Sequence, residues 1–370
     1  MLPGRARPLA VRPGPWAASH PPPTSRRVYA AAHVAAFPDG TIDWPSTMGF
    51  REHLWAHGFA VAEAMDTAQR GMGLDWGQAA ELIRRSAALA AQRGAVLACG
   101  AGTDQLRGAG AHDLAAIVSA YAEQARAIES AGAQVILMAS RALAASARSA
   151  DDYLEVYGTL LRQASRPVIL HWLGEAFDPQ LRGYWGTADL DTAAGTVVEL
   201  IRQADGKVDG IKLSILDAGR EIALRKALPP GVRLYTGDDF NYAALIKGDA
   251  DGHSDALLGA FAAIAAPAAA ALQALDRGDV GRYDAVMGAT VPLSRTIFEA
   301  PTSGYKAGIA FLAWLNGRQP YFSMLAGFHR RRSAAHLTRV FELAAAAGVL
   351  ADPDLAVERM GRYLADGPRW

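Results

Sequence analysis

The sequence predicts a (β/α)8 barrel with a C-terminal helical extension. Eight short apolar segments alternate with Ala-rich amphipathic segments between residues 28 and 261, a pattern typical of parallel strands covered by helices. Eight such units fit a closed barrel better than an open sheet. The turn after the first segment, Ala36–Gly40, lacks the glycine-rich dinucleotide pattern that an open doubly wound sheet would carry there.

The predicted strands span residues 28–37, 59–67, 95–103, 134–140, 167–173, 208–216, 232–236 and 255–261. Helices are predicted between them at 75–93, 114–131, 151–165 and 189–204. Beyond residue 267 only helices are predicted, at 268–276, 279–289, 292–299, 305–315 and 333–347, with a last short segment. We therefore predict a flexible Pro- and Arg-rich tail (1–26), a catalytic barrel (27–267) and a helical extension (268–370).

Composition excludes several classes of partner. The chain of 370 residues has a formal net charge of zero, which gives no electrostatic attraction to nucleic acid or to acidic membranes. No apolar run approaches the roughly 20 residues that span a bilayer, and the N-terminal residues lack the apolar segment of a secretory signal. Cys99 is the only cysteine, so no intrachain disulfide can form. We expect a cytoplasmic protein whose partner is a small-molecule substrate.

The most informative segment is the predicted strand at 208–216. Because side chains alternate along a strand, Ile211 and Leu213 share one apolar face, while Lys212 and Ser214 share the other. A buried ammonium must be paired or lose its proton, and a neutral amine in a dry pocket attacks carbonyl carbons. Lysine is rare in this chain, with five in all, so Lys212 is unlike a solubilising charge. Pairing with a carboxylate, or a position at the strand end reaching solvent, remains the open alternative.

Active sites of such barrels gather at the C-terminal ends of the strands. His171 ends the fifth predicted strand and is a candidate general acid–base, with a satisfied core histidine as the alternative. The fourth predicted strand ends in Ser140 and Arg141. The candidate substrate-binding residues at or after strand ends are Asp66, Thr67, Arg70, Asp104, Trp172, Ser214, Thr236, Asp238 and Asp239.

Two other functions stay open. His53 and His57 have the spacing of two ligands on one helix face, but they precede the second strand and lie away from the expected active face. No P-loop or Cys/His cluster is present, and we expect neither a metal nor another cofactor. One alternative is a metal-dependent sugar isomerase or hydrolase, and another is a non-catalytic barrel that binds a small ligand. The metal-dependent alternative would use Glu63, Asp104, His171 and Asp239.

Several segments, in chain order, resemble the dihydrodipicolinate synthase / N-acetylneuraminate lyase family of class I aldolases. Residues 210–212 are similar to its Schiff-base strand, 99–104 to its glycine-rich third strand, and 235–239 to its Gly-Asp-Asp segment. The stretch from Gly252 to Pro267 resembles its eighth strand, and Lys306 is similar to a lysine of its C-terminal helix. The resemblance covers about residues 28–316. Segments 32–34, 63–71 and 171–175 look like an actinobacterial branch usually labelled a domain of unknown function.

The resemblance implies a Schiff-base role for Lys212 and a homo-oligomer, dimer or tetramer. Where the family has Gly-Thr-Thr-Gly-Glu, this chain keeps only Thr67, and Arg70 is the candidate replacement for the lost anion site. His171 stands where the family has a proton-relaying tyrosine. The implied activity is a class I aldolase or lyase that cleaves or forms a C–C bond in a sugar-derived ketone or 2-oxo acid. A Schiff-base dehydratase is a near variant.

Overall fold

Eight strands close into a barrel in chain order in the computed structural model, which describes residues 11–65, 69–106 and 110–366. The predicted fold class is confirmed, and each strand lies within its predicted segment but is shorter. The strands are β1 (Val28–Ala31), β2 (Ala60–Glu63), β3 (Leu97–Ala101), β4 (Gln134–Leu137), β5 (Val168–Leu173), β6 (Val208–Ser214), β7 (Arg233–Thr236) and β8 (Asp255–Leu258).

The four helices predicted between the strands are present, and several helices begin at residues whose side chains cap them. Asp75 accepts a hydrogen bond from the Gln78 amide and forms a capping box with Gln78, and the Asp189 side chain accepts a hydrogen bond from the Thr192 amide. The helices are α1 (Trp44–Ala56), α2 (Trp76–Arg93), α3 (Leu114–Ser130), α4 (Arg141–Ser146), α5 (Ala150–Gln163), α6 (Leu190–Gln203), α7 (Ala218–Ala227), α8 (Tyr242–Lys247), α9 (Ala260–Ala263), α10 (Ala265–Asp276), α11 (Val280–Ile297), α12 (Tyr305–Leu315), α13 (Ala334–Ala346) and α14 (Pro353–Asp366).

One predicted break between two helices is absent from the structure. The sequence predicts two helices, 279–289 and 292–299, because proline disfavours a helix interior. The structure has the single helix α11, with Pro292 inside it. Buried Leu293 and Ile297 continue the packed face of this helix past the proline, so apolar burial offsets the lost hydrogen bond.

The chain divides into two compact units, residues 1–61 with 258–370 and residues 62–257. In the first unit, residues 11–26 of the predicted flexible tail make specific contacts. The Trp16 indole donates to the Gly348 carbonyl at 2.7 Å, and the amides of Thr24 and Ser25 donate to Asp276 at 2.8 and 2.9 Å. These contacts join residues far apart in the chain, so the local composition carries no signal for them. Within the described residues, none of the helices is long and apolar enough to cross a lipid bilayer.

Strand register decides which side chains face into the barrel. Trp172 on β5 pairs with Leu213 on β6, and both side chains border a space lined by α6 and α7, which lie outside the strands. The alternating residues His171 and Lys212 are also paired with each other, and they face the opposite side, the barrel interior. The two buried residues that carry the predicted chemistry are therefore neighbours on one inner surface.

We expect Gly210→Ala to destabilise the barrel. A Cβ at this β6 position would lie 2.6 Å from the Arg233 carbonyl oxygen and 2.7 Å from a ring carbon of Tyr235. Urea unfolding should show a loss of about 2 kcal/mol or more. Gly195→Ala on the exposed face of α6 is the matched control, because nothing lies near its Cβ, and it should gain about 0.5–1 kcal/mol. Equal effects at the two positions would contradict the described register.

Candidate active site

An amine, an imidazole and a hydroxyl meet on the inner surface of β5 and β6. Lys212 is 6% exposed and lies beside His171, its register partner. Ser214 is on the same face of β6, and its Oγ is 3.2 Å from Nε2 of His171. All three groups are buried, so water competes little with interactions among them or with a ligand.

His171 is held in its neutral form. Burial and then the positive charge of Lys212 lower the pKa of the His171 imidazole well below its ordinary value. One ring nitrogen contacts Ser214, and the other, Nδ1, has no hydrogen-bond partner among the described residues. A neutral imidazole with one nitrogen uncommitted can accept or donate a proton at a substrate atom.

Gly237, directly after β7, makes room for this cluster. Its amide donates to the Leu213 carbonyl at 2.8 Å, which holds the turn against β6. A Cβ there would lie 2.9 Å from Cε of Lys212 and 2.2 Å from Oγ of Ser214. The glycine of the Gly-Asp-Asp segment is thus needed for the close approach of the turn to both side chains.

A cavity of about 350 Å³ opens beside His171 at the C-terminal ends of β3, β4 and β5. Its polar lining includes Thr103 and Ser140, whose hydroxyl oxygens are 2.6 Å apart. The Ser140 amide donates to the hydroxyl of Tyr184, which is 2.8 Å from the hydroxyl of Tyr157. This buried hydroxyl chain offers fixed donors and acceptors to a ligand with oxygen substituents.

Arg70 lies in the lining of this cavity, but its guanidinium is already saturated. Nε and Nη2 donate to the two oxygens of Asp104, at 3.1 and 2.5 Å, and Nη2 also donates to Gln124 Oε1 at 2.6 Å. Nη1 donates to the carbonyls of Ala64 and Gly100. All five donors are thus used. Burial opposes ionisation of Asp104, but bonding to Arg70 outweighs it and keeps the pKa of Asp104 below its ordinary value.

Arg141 is the arginine of the cavity lining that has N–H donors without an acceptor among the described residues. Its Nε donates to Asp178 at 2.5 Å, and its side chain is 40% exposed. Its terminal nitrogens form no hydrogen bond within the described part of the chain. The sequence indicates this residue only by its position after the fourth strand, without a reason to prefer it to Arg70.

The structure separates several sequence candidates from Lys212. Trp172 faces outward and packs on Trp185, with ring centroids 6.4 Å apart. Thr236 donates to Glu221 of α7 at 3.0 Å, so it also faces outward. Asp238 accepts from the Phe240 and Asn241 amides and shapes the following turn, next to buried Asp239. Asp66 and Thr67 lie outside the described residues.

The residues of the metal-dependent alternative do not converge. Glu63 accepts from the Ala64 amide at 2.8 Å and from the Ser86 hydroxyl of α2 at 2.6 Å, so its carboxylate faces a helix outside the strands. Asp104 is committed to Arg70. Over the described ranges, no group of three or more histidine, cysteine or acidic residues is arranged to hold a metal ion.

Glu221 is a buried acid that the sequence did not single out. It accepts hydrogen bonds from Thr236 and, at 2.7 Å, from the Ser254 hydroxyl, and so joins the ends of β7 and β8 to α7. Burial raises its pKa to about 8 despite these bonds, and the nearby charge of Asp238 adds to the rise. Its sequence signal is faint, because acidic residues in a first helical turn are usually exposed.

Comparisons with known proteins agree with this architecture. A family model described as "Protein of unknown function (DUF993)" matches residues 6–367. Among curated proteins, none matches the sequence. Similar solved structures include dihydrodipicolinate synthases from Bacteroides thetaiotaomicron (16% identity, TM-score 0.66, covering 87% of this chain and 98% of that one) and Aquifex aeolicus (14%, 0.66, 86% and 97%). A third, from Agrobacterium tumefaciens, has 16% identity and a TM-score of 0.65, covering 87% and 98%. At such identities the likeness shows the fold.

The raised pKa of Glu221 makes stability depend on pH. Between about pH 4.5 and pH 8 the folded state keeps a proton that the unfolded chain has lost, so the free energy of unfolding falls as pH rises through this window. Glu221→Gln cannot ionise, and its urea-unfolding curves should show a smaller fall than the parent's. Glu155→Gln, an exposed change on α5, should follow the parent. Parallel pH profiles for parent and Glu221→Gln would contradict a protonated Glu221.

Proposed function

The chain belongs to the DUF993 family of proteins of unknown function, and from this premise we propose that it is a class I aldolase or lyase. Lys212 would form a Schiff base with the carbonyl of a 2-oxo acid or sugar-derived ketone, for cleavage or formation of a C–C bond. The observation that carries the proposal is buried Lys212 beside neutral His171 on adjacent inner strands. The fold shared with dihydrodipicolinate synthases supports it.

The first step is addition of the Lys212 amine to the substrate carbonyl carbon. The carbonyl π electrons move to oxygen, and a proton passes from nitrogen to that oxygen to give a carbinolamine. A proton taken up from solvent by the carbinolamine hydroxyl lets that group leave as water, which gives a protonated imine whose positive nitrogen attracts electrons from the neighbouring carbon. The buried position of Lys212 favours this step, because a less hydrated amine is easier to hold in its nucleophilic, neutral form.

The second step breaks the C–C bond between the carbon next to the imine carbon and the hydroxyl-bearing carbon beyond it. The bonding electrons move toward the iminium nitrogen and form an enamine, while a base removes the hydroxyl proton of the departing aldehyde. His171 is neutral and has an uncommitted ring nitrogen, so it can accept that proton and return it to the enamine carbon. Water then hydrolyses the imine and releases Lys212. Condensation is the reverse sequence, and a dehydratase would expel water instead of an aldehyde.

The cavity lining favours a substrate with a carboxylate. Arg141 has terminal donors that the described residues leave open, whereas every donor of Arg70 already has an acceptor. We therefore assign the carboxylate of a 2-oxo acid to Arg141. The hydroxyl pair of Thr103 and Ser140 would hold the oxygen substituents farther along the substrate. Glu63 points away, which is the observation against the metal-dependent alternative.

Borohydride trapping tests the Schiff base directly. The purified protein is incubated with a panel of 2-oxo acids and keto sugars, reduced, digested and analysed by peptide mass spectrometry. We expect a reduced adduct on Lys212 with at least one compound, because borohydride converts the imine to a stable secondary amine. A chelator should leave the yield unchanged.

Two variants separate imine formation from proton transfer. Lys212→Arg keeps the positive charge but cannot form the imine, so its adduct should disappear. His171→Asn should still be trapped, but should lose solvent proton exchange at the carbon next to the imine by about 100-fold or more. Binding of a compound without any trapped lysine, or activity that a chelator removes, would overturn the proposal.

Arg141→Gln should weaken binding of the 2-oxo acid that gives the adduct. Loss of a charge-assisted contact is expected to raise the concentration for half-maximal trapping by about tenfold, with the maximal yield retained. Arg182→Gln is the matched control, because Arg182 is exposed and its Nε is 3.7 Å from the carboxylate of exposed Glu175. Equal half-maximal concentrations for Arg141→Gln and the parent would remove Arg141 from the binding site.

A further inference from the structure

A second cavity, of about 620 Å³, lies within the first unit and carries its own charged group. It is bordered by α1, by α9 and α10, by the end of α12, and by the segments around Trp16 and Val349. One wall is formed by small apolar residues of residues 262–267, and the polar lining includes His53, His57 and Arg318. Its rim includes exposed residues at positions 17, 18, 56 and 351, so the cavity is open to solvent.

Arg318 has no counter-charge among the residues that the structure describes. Its side chain forms no ion pair or hydrogen bond anywhere in the described part of the chain. Burial lowers the pKa of its guanidinium, whereas a neighbouring carboxylate would raise it. A guanidinium that is partly withdrawn from water without a partner costs free energy, so the fold gains nothing from this charge unless an anion joins it.

Two histidines extend the polar end of the cavity. The rings of His53 and His57 are 4.8 Å apart, and Nδ1 of His57 is 3.1 Å from Nδ1 of His20. Burial, together with the charge of Arg318, lowers the pKa of His53 to about 2 and that of His57, which also feels His20, to about 4. Both are neutral near pH 7, and neutral imidazoles offer N–H donors without adding charge.

Glu52 is the acidic residue of the lining, and it does not neutralise Arg318. It immediately precedes His53 on α1, where consecutive side chains point in different directions. Were its carboxylate close to Arg318, the pKa of the guanidinium would be raised, and it is lowered. The lining near Arg318 therefore favours a negative ligand over a metal cation.

We propose that this cavity binds a small organic oxyanion, a carboxylate or a phosphate monoester. The anionic head would contact Arg318, His53 and His57, and the apolar body would lie on the alanine wall of α9 and α10. Its size falls within the range of about 300–1,000 Å³ that is common for small-molecule sites. This site is separate from the Lys212 cluster and does not depend on Schiff-base chemistry.

Isothermal titration calorimetry of the full chain tests the site with three probes: inorganic phosphate, phenyl phosphate and benzoate. We expect saturable binding of phenyl phosphate or benzoate that is tighter than binding of inorganic phosphate, because the ring adds apolar contact. The stronger of the two ring compounds identifies the head group. Arg318→Gln should weaken binding at least about tenfold, and Arg282→Gln, an exposed change on α11, should not.

Stability separates ligand binding from a structural role. Without a probe, Arg318→Gln should unfold at the same temperature as the parent or higher, because it removes an unpaired, partly buried charge. The probe should raise the unfolding temperature of the parent and of Lys212→Arg, but not of Arg318→Gln. The proposal is overturned if no probe binds at millimolar concentration, if binding survives Arg318→Gln, or if Zn²⁺ binds in a His53-dependent manner instead.

Discussion

The burial of Lys212 next to its register partner His171 is the constraint on which the inner surface depends. Two groups that can both carry positive charge are buried side by side, which lowers the pKa of the imidazole and keeps that ring neutral. The surrounding strands must leave space for them. Gly237 does so directly, since a side chain there would meet both Lys212 and Ser214. Branched apolar residues usually fill the interior of such a barrel, whereas here Lys212, His171 and Ser214 occupy the inner surface of β5 and β6.

The alternation of side chains along a strand predicts that Lys212 and Ser214 share one face of β6. In the structure both side chains lie on the inner face, beside His171 and Gly237. Trp172 and Thr236 were selected by their place at strand ends, and that place identifies the correct end of the barrel without identifying the face on which a side chain lies. Register supplies the face, and register depends on pairing between distant segments. Thr236 is paired with Leu213, so it faces α7 and bonds to Glu221.

Long-range contacts likewise explain what the sequence could not predict about the cations. Arg70 follows the second strand, where the resemblance places an anion site. Its acceptors come from 34 and 54 residues farther along the chain, at Asp104 and Gln124. Arg141 lies at an equally ordinary position, yet its terminal nitrogens have no acceptor among the described residues. Residue type and position are alike for both arginines, and only the folded arrangement of acceptors distinguishes them.

Arg318 and Arg70 differ in whether the N–H donors of the guanidinium have acceptors. Arg70 is 4% exposed and all five of its donors have acceptors, so its desolvation is offset by bonds that tie β3 and α3 together. Arg318 is partly desolvated and has no acceptor in the described chain. Satisfied donors stabilise a fold by themselves, whereas unsatisfied donors in an open cavity are stabilised when a ligand brings the missing acceptor. For this reason we propose Arg141 and Arg318, and not Arg70, as the arginines that contact ligands.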